Sequence, residues 1–308
     1  MTARYLFILT FLNLVKLEGQ PPEKRGIFEL RLKGKVKSYM TISLKSDGSI
    51  YYKRLFNFDE KGNALSNTEY DNKTGNIRSI SNFKYDENGN IVERIFNFTN
   101  NSGRSSVSRK TFKYDKNNFW IEETKYNSES EIEEIKKNEF VPDSIKTIKN
   151  NYGETAKRIV FLTNGKGIDS SIHQYYDNNN IKDVYHYSDG KLTLKYHFNE
   201  KGRHIKTWTN GKLTYNDSLI YDGLDNIIEK YHIGENGNFK YKETYKYDNN
   251  HNIVEQLNWK LDETLPKSLI IWQKIIYNYD NFKNKTKETL YRSDGSISFT
   301  YIYNYEYY

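Results

Sequence analysis

The run Phe83-Lys84-Tyr85-Asp86-Glu87-Asn88-Gly89-Asn90-Ile91-Val92-Glu93-Arg94 spells a strand, a tight turn and a second strand. Asp suits the first position of a type I turn because its carboxylate accepts backbone N–H groups further along the turn. Gly89 falls where a left-handed residue is needed, and without a Cβ it enters that region at no steric cost. A type I turn followed by a left-handed glycine makes a short hairpin with a bulge. The phrase therefore predicts Asp86 opposite Asn90, Tyr85 opposite Ile91 and Phe83 opposite Glu93. Alternation then places Phe83, Tyr85, Ile91, Glu93 and Ile95 on one face.

The phrase recurs. Tyr247-Asp248 leads to Asn252, Ile253 and Glu255, and Tyr221-Asp222 leads to Asn226, Ile227 and Glu229 with its glycine moved to Gly223. Tyr114-Asp115 is followed by Trp120 and Glu122 at the positions of Ile91 and Glu93. Looser copies start at Tyr70-Asp71, Tyr176-Asp177 and Tyr279-Asp280, with further Gly or Asn turns between them. Punctuation this dense leaves room for strands and little else. The fold class it predicts is all-β, an extended array of antiparallel β-hairpin repeats in a curved or twisted sheet.

Tyr-Asp-x-x-Gly-Asn-Ile followed by an aromatic-rich strand and another Tyr-Asp resembles the YD repeat of RHS-type proteins. The likeness spans about residues 40–308, with its framework at Tyr85, Asp86, Gly89, Ile91, Tyr114, Asp115, Tyr221, Asp222, Tyr247, Asp248 and Ile253. The resemblance implies a long sheet of hairpins. Large members close such sheets into shells around a toxic cargo, and others serve in adhesion at cell surfaces. At 308 residues this chain is too short to enclose a cargo, and it has no Asp-Pro-x-Gly-Leu stretch of the kind that ends such shells. Turns such as Asp189-Gly190-Lys191-Leu192 and Asn210-Gly211-Lys212-Leu213 also resemble MORN-like hairpin repeats.

Residues 1–19 read as an export signal: Arg4 precedes an apolar run from Tyr5 to Val15, too short to span a bilayer, and cleavage is expected after Gly19. A buried first strand or helix is the alternative. Residues 20–39 lead into the array at 40–308, which would divide, if anywhere, near 127–151. There Glu131 to Lys137 fits either a short helix ended by Pro142 or an irregular hairpin. No second apolar run of spanning length follows, so the expected product is exported without a transmembrane segment, in the periplasm, at the cell surface or secreted. With no cysteine the chain carries no lipoprotein anchor, disulfide or thiolate metal site.

Hydrophobic residues make up only 36%, but aromatics reach 16%, with 28 tyrosines. Tyrosine buries a ring and keeps its hydroxyl wet or bonded, which suits tyrosine-lined strips better than one aliphatic core. The net charge of +7 is spread among lysines interleaved with acids, as in Lys240-Tyr241-Lys242-Glu243. That pattern describes a solvated sheet and not a nucleic-acid groove.

Recurrent Tyr-Asp pairs are framework, since a catalytic site needs one constellation and not many. Glu93, Glu122, Glu229 and Glu255 share one register, facing the aromatic side, either as a ligand-binding carboxylate row or as partners in salt bridges between hairpins. The turn at Asp86 is not a calcium loop: its glycine comes two positions early, and Asn97 stands where a bidentate glutamate is required. The six histidines show neither the i,i+4 spacing nor the carboxylate partner of a zinc hydrolase and read as scattered surface residues, although His186 and His197 could approach across a hairpin. No nucleophile elbow, P-loop or dinucleotide fingerprint is present, and no cofactor or metal is expected. The function expected is a non-enzymatic module that offers a sheet face to a glycan or a protein, with Trp120, Trp208, Trp259 and Trp272 as candidate contact residues beside those glutamates. The alternatives are a scaffold that pairs through free sheet edges and, less favoured, a carboxylate hydrolase.

Overall fold

The structure, a computed structural model, describes residues 32–308 except 101–102, 117–119, 138–141, 150–154, 163–167, 177–179, 189, 235–236 and 263–267. The export signal and the turn residues Asp177 and Asp189 lie outside the described residues.

All regular structure among the described residues is strand. The chain runs β1 (Val36–Lys45), β2 (Ile50–Phe58), β3 (Ala64–Tyr70), β4 (Ile77–Tyr85), β5 (Ile91–Thr99), β6 (Ser105–Tyr114) and β7 (Trp120–Tyr126). It continues through β8 (Ile132–Lys137), β9 (Pro142–Lys149), β10 (Thr155–Leu162), β11 (Ile168–Tyr175), β12 (Ile181–Ser188), β13 (Lys191–Phe198) and β14 (His204–Thr209). It ends with β15 (Lys212–Tyr221), β16 (Ile227–Ile233), β17 (Phe239–Tyr247), β18 (Ile253–Leu261), β19 (Leu269–Tyr279), β20 (Lys285–Arg292) and β21 (Ile297–Tyr307). The stretch that fits a helix at Glu131 to Lys137 is instead strand β8, paired with β7. Pro142 opens β9, the strand position where a missing N–H costs least.

The chain divides into two compact units. The first takes residues up to Ile42, Ile50–Pro142 and Tyr303–Tyr308; the second takes Ser43–Ser49 and Asp143–Ile302. In the first, β2 to β8 pair antiparallel, each with its successor. In the second, the same order holds from β10 through β21.

The turn is the one expected. Gly89 N donates to Asp86 O at 3.0 Å, Asp86 N donates to Asn90 O at 2.9 Å, and Gly89 has φ +76°. Tyr85 faces Ile91 as predicted. Phe83 does not face Glu93. A second bulge at Lys84/Tyr85 leaves Val92 over, so Lys84 pairs with Glu93 and Phe83 with Arg94. The same shift follows Tyr114, Tyr221, Tyr247 and Tyr279. Because side chains alternate, one extra residue carries Glu93 to the face opposite Phe83.

The core of the first unit is Val36, Phe56, Phe58 and Ala64, with Leu32, Tyr39, Phe83, Tyr305 and Tyr307 packed against it. Tyr39 stacks on Phe56 at 6.0 Å and on Tyr305 at 5.3 Å. Tyr308 N donates to Lys35 O at 2.9 Å, and Lys37 pairs with Glu306 at 2.9 Å, so the last residues lie along β1. Elsewhere among the described residues, buried side chains are more often Ser, Thr, Asn or Asp than hydrophobic. Lateral hydrogen bonds therefore carry much of the cohesion that a larger apolar core would otherwise supply.

Candidate functional site

The framework residues form a lateral staple. Tyr114 Oη donates to Ile91 O at 2.9 Å, Tyr247 Oη to Ile227 O at 2.7 Å, and Tyr279 Oη to Ile253 O at 2.7 Å. Tyr85 Oη does the same to Ala64 O at 2.8 Å. Each tyrosine thus reaches back to the first residue of the preceding hairpin's second strand, just before its bulge. At Tyr221 the pattern changes, its hydroxyl accepting from Asn199 Nδ2 at 2.8 Å. The aspartates clamp the turn. Asp86 Oδ1 accepts Asn90 N at 2.8 Å and its Oδ2 accepts Asn90 Nδ2 at 3.0 Å, and Asp222/Asn226 and Asp248/Asn252 repeat the pair. For Asp222 and Asp248 the asparagine's hydrogen bonds lead in holding the carboxyl below the usual carboxylate range.

The glutamate row is ion-paired and turned away from its own hairpin's tyrosine. Glu93 meets Lys84 at 3.0 Å and Arg109 at 3.1 Å, and Glu122 meets Lys113 at 2.7 Å. Glu229 meets Lys242 at 2.7 Å, and Glu255 meets Lys246 at 2.7 Å and Lys274 at 2.8 Å. The expectation that they face the aromatic side is corrected by the bulge, which sets each beside the residue before the tyrosine. Of the two roles open to them, salt bridging is the one the geometry carries out.

All four tryptophans are half-buried, and they occupy β7, β14, β18 and β19. Trp120 faces Tyr114, and Trp208 lies under Lys195 Nζ at 4.8 Å. Trp259 Nε1 donates to Thr244 Oγ1 at 3.1 Å, and Trp272 is the residue left over at a bulge in β19.

Charge gathers at a place the sequence reading missed. Asp217 on β15, Lys230 and His232 on β16 and Glu243 on β17 meet on one sheet face in the second unit. His232 Nδ1 lies 2.8 Å from Asp217 Oδ1 and its Nε2 lies 3.3 Å from Glu243 Oε2, close approaches that lack the geometry of in-line hydrogen bonds. Lys230 Nζ sits 3.0 Å from Asp217 Oδ2. Tyr215 donates to Asp217, and Tyr245 Oη donates to Glu243 Oε2 at 2.5 Å. The Tyr241 ring stacks on the imidazole at 3.8 Å between centroids. Burial pulls the His232 imidazole down, but the two carboxylates outweigh it and leave its pKa raised. Burial pushes Asp217 and Glu243 up, and His232 with the tyrosine hydroxyls and Lys230 brings both below the ordinary range. The arrangement is a cluster of charged groups in which each ring nitrogen faces a carboxylate oxygen.

A second copy joins His197 Nδ1 to Asp183 Oδ1 at 3.0 Å, with Lys195 Nζ 3.6 Å from the same carboxylate oxygen. The reading of the histidines as scattered surface residues is therefore corrected for His232, which is buried, and for His197, half-buried against Asp183. His186 faces Leu194 while His197 faces Asp183, so the pair does not meet in the ladder. The signal was present: Lys-Tyr-His occurs at both Lys195-Tyr196-His197 and Lys230-Tyr231-His232. Among the described residues no group of His, Asp and Glu side chains is arranged to hold a metal ion.

Fold and framework together define an all-β protein of laterally stapled antiparallel hairpins. No protein-family model matches the sequence, and no curated protein is similar to it. Among solved structures the chain is similar to TcdB2-TccC3-TEV, at 12% identity and TM-score 0.25, over 81% of this chain and 19% of that one. It thus spans about a fifth of that protein's length. It is also similar to a porin-like protein from Bacteroides uniformis, at 8% identity and TM-score 0.29 over 89% of this chain and 99% of that one. A porin-like protein from Bacteroides vulgatus matches at 11% identity and TM-score 0.25, over 74% and 92%. Likeness at this level assigns neither family nor activity.

Proposed function

We propose that the protein is an exported, non-enzymatic module resembling YD-repeat proteins, which presents its aromatic and charged sheet faces to a glycan or another protein. One observation carries the reading. Tyrosine and tryptophan rings sit half-exposed along the strands with cations over their faces, as in Lys53 on Tyr70 at 4.5 Å, Arg109 on Tyr126 at 4.7 Å and Lys195 on Trp208 at 4.8 Å. Flat rings bordered by lysine and arginine suit sugar faces and partner side chains alike. The Tyr-Asp pairs and the glutamate row are occupied by turns, staples and ion pairs, which favours a surface role over a catalytic one. The leader-like start supports export, and no described helix is long and apolar enough to cross a membrane.

The scaffold reading, in which a partner strand adds to a free edge, is weaker. In the first unit the edge of β1 near Lys35 and Lys37 is already taken by Glu306 and Tyr308.

A glycan array probed with the full chain, together with co-purification from the native host, tests the proposal. Saturable binding to a glycan class, or one stable protein partner, is expected. Hydrolysis of an array glycan, or the lack of both ligand kinds, would overturn it.

A further inference from the structure

The second unit carries a groove of about 420 Å³ between the turns that follow Tyr247 and Tyr279. Asp248, Asn250 and Asn252 line one wall, Asp280, Asn281 and Lys283 the other, with Tyr277 and Tyr279 beneath. The two turns are joined where Lys283 Nζ donates to Asn250 O at 3.2 Å. The aspartates are already engaged as caps. Asp248 Oδ1 takes the N–H groups of Asn250 and Asn252, each at 2.9 Å, and Asp280 Oδ1 takes those of Phe282 at 2.9 Å and Asn284 at 2.8 Å. Asn250, Asn278 and Asn281 are exposed, and their amides have no protein partner among the described residues. Beside them, at the tip of the second turn, Phe282 is 50% exposed.

We infer that this groove is a binding subsite for a neutral saccharide. A primary amide both donates and accepts, so neighbouring amides match the paired hydroxyls of a sugar ring. Phe282 does not line the groove but stands exposed between the lining residues Asn281 and Lys283, where its ring offers an apolar face to the C–H side of a sugar that extends past the rim. Two carboxylates against one ammonium make the groove unsuited to uronic or sialic acids, even though the chain as a whole is basic. The neighbouring junction is closed: His251 Nδ1 reaches Asn226 Oδ1 at 3.1 Å across the turns after Tyr221 and Tyr247. The junction after it has a lysine-to-carbonyl link in that place and leaves its amides clear.

The inference rests on the reading of the chain as a ligand-presenting module, and one experiment separates the two. The full chain, Phe282→Ala, and the double variant Asn250→Ala/Asn281→Ala are probed on one array that carries neutral, uronic-acid and sialylated glycans. All three changes are at exposed turn positions, and thermal unfolding checks that each variant is folded. Binding to neutral oligosaccharides is expected, with apparent affinity falling at least tenfold in both variants. Neutral-glycan binding held within twofold in both variants would overturn the groove and leave the module reading in place. Binding to acidic glycans alone would do the same. No glycan binding at all would overturn the groove together with the glycan half of the function.

Discussion

The hydroxyl of Tyr247 donates to the carbonyl of Ile227 at 2.7 Å, tying the start of one hairpin's second strand to the first strand of the next. Tyr114 with Ile91 and Tyr279 with Ile253 repeat the bond. Neighbouring hairpins are thus held by a side chain as well as by the ladder. Tyr247→Phe and Tyr114→Phe keep the ring and remove only the donor. Each is expected to lower stability by about 0.5–1.5 kcal/mol, the usual net worth of one hydrogen bond. Urea midpoints at unchanged slope would show it; midpoints equal to the parent's would mean the staple contributes nothing.

The left-handed turn position is filled unevenly. Gly89 has φ +76°, and a Cβ there would meet only Asn63 Oδ1 at 3.9 Å, so Gly89→Ala is opposed by backbone strain alone, about 1–2 kcal/mol. Ser130 holds the same kind of position at φ 67° between β7 and β8. Ser130→Gly relieves its strain but adds freedom to the unfolded chain, for a net gain of roughly 0.5–1 kcal/mol. Opposite shifts in melting temperature are expected, and a fall for both would contradict the argument.

Asn90 is buried, with its amide aimed at the Asp86 carboxylate at 3.0 Å. Asn90→Asp keeps the shape and opposes two negative charges. The new carboxyl's pKa in the folded state would be raised, so its destabilisation grows as pH rises through the carboxylate range and shrinks in acid. A loss of about 1–3 kcal/mol at neutral pH is expected, falling towards pH 4. Denaturant curves at the two pH values check it, and a pH-independent loss would point to packing instead.

The charged cluster around His232 gives stability a pH window. The raised imidazole contributes stability that is complete below its ordinary pKa of 6.5 and is lost as pH rises through the folded value. Asp217 and Glu243, both lowered, contribute stability present above their ordinary values and lost as pH falls through the folded ones. His204, lowered mainly by burial, acts in the opposite sense to His232 and favours the folded state as pH rises towards 6.5. The comparison must therefore be between variants. The parent is expected to lose stability above pH 6.5, and His232→Gln to remove that loss. An unchanged alkaline limb in melting temperature against pH would refute the coupling.

Turn chemistry acts within about five residues, and for that reason the sequence alone determined the hairpins. Asp86, Gly89 and Asn90 close their turn with bonds to one another, so the all-β class, the Tyr85–Ile91 pairing and the framework positions could be read before any strand met its neighbour. What followed the turn could not. The residue left over at Val92 sent Glu93 to the other face, and only the presence of Lys84 and Arg109 on adjoining strands determined its partners. Asp217, His232 and Glu243 come from three strands whose mutual register depends on two intervening bulges. Sequence spacing does not encode a one-residue slip, whereas the lateral hydrogen bonds and ion pairs of the assembled sheet select one register out of several.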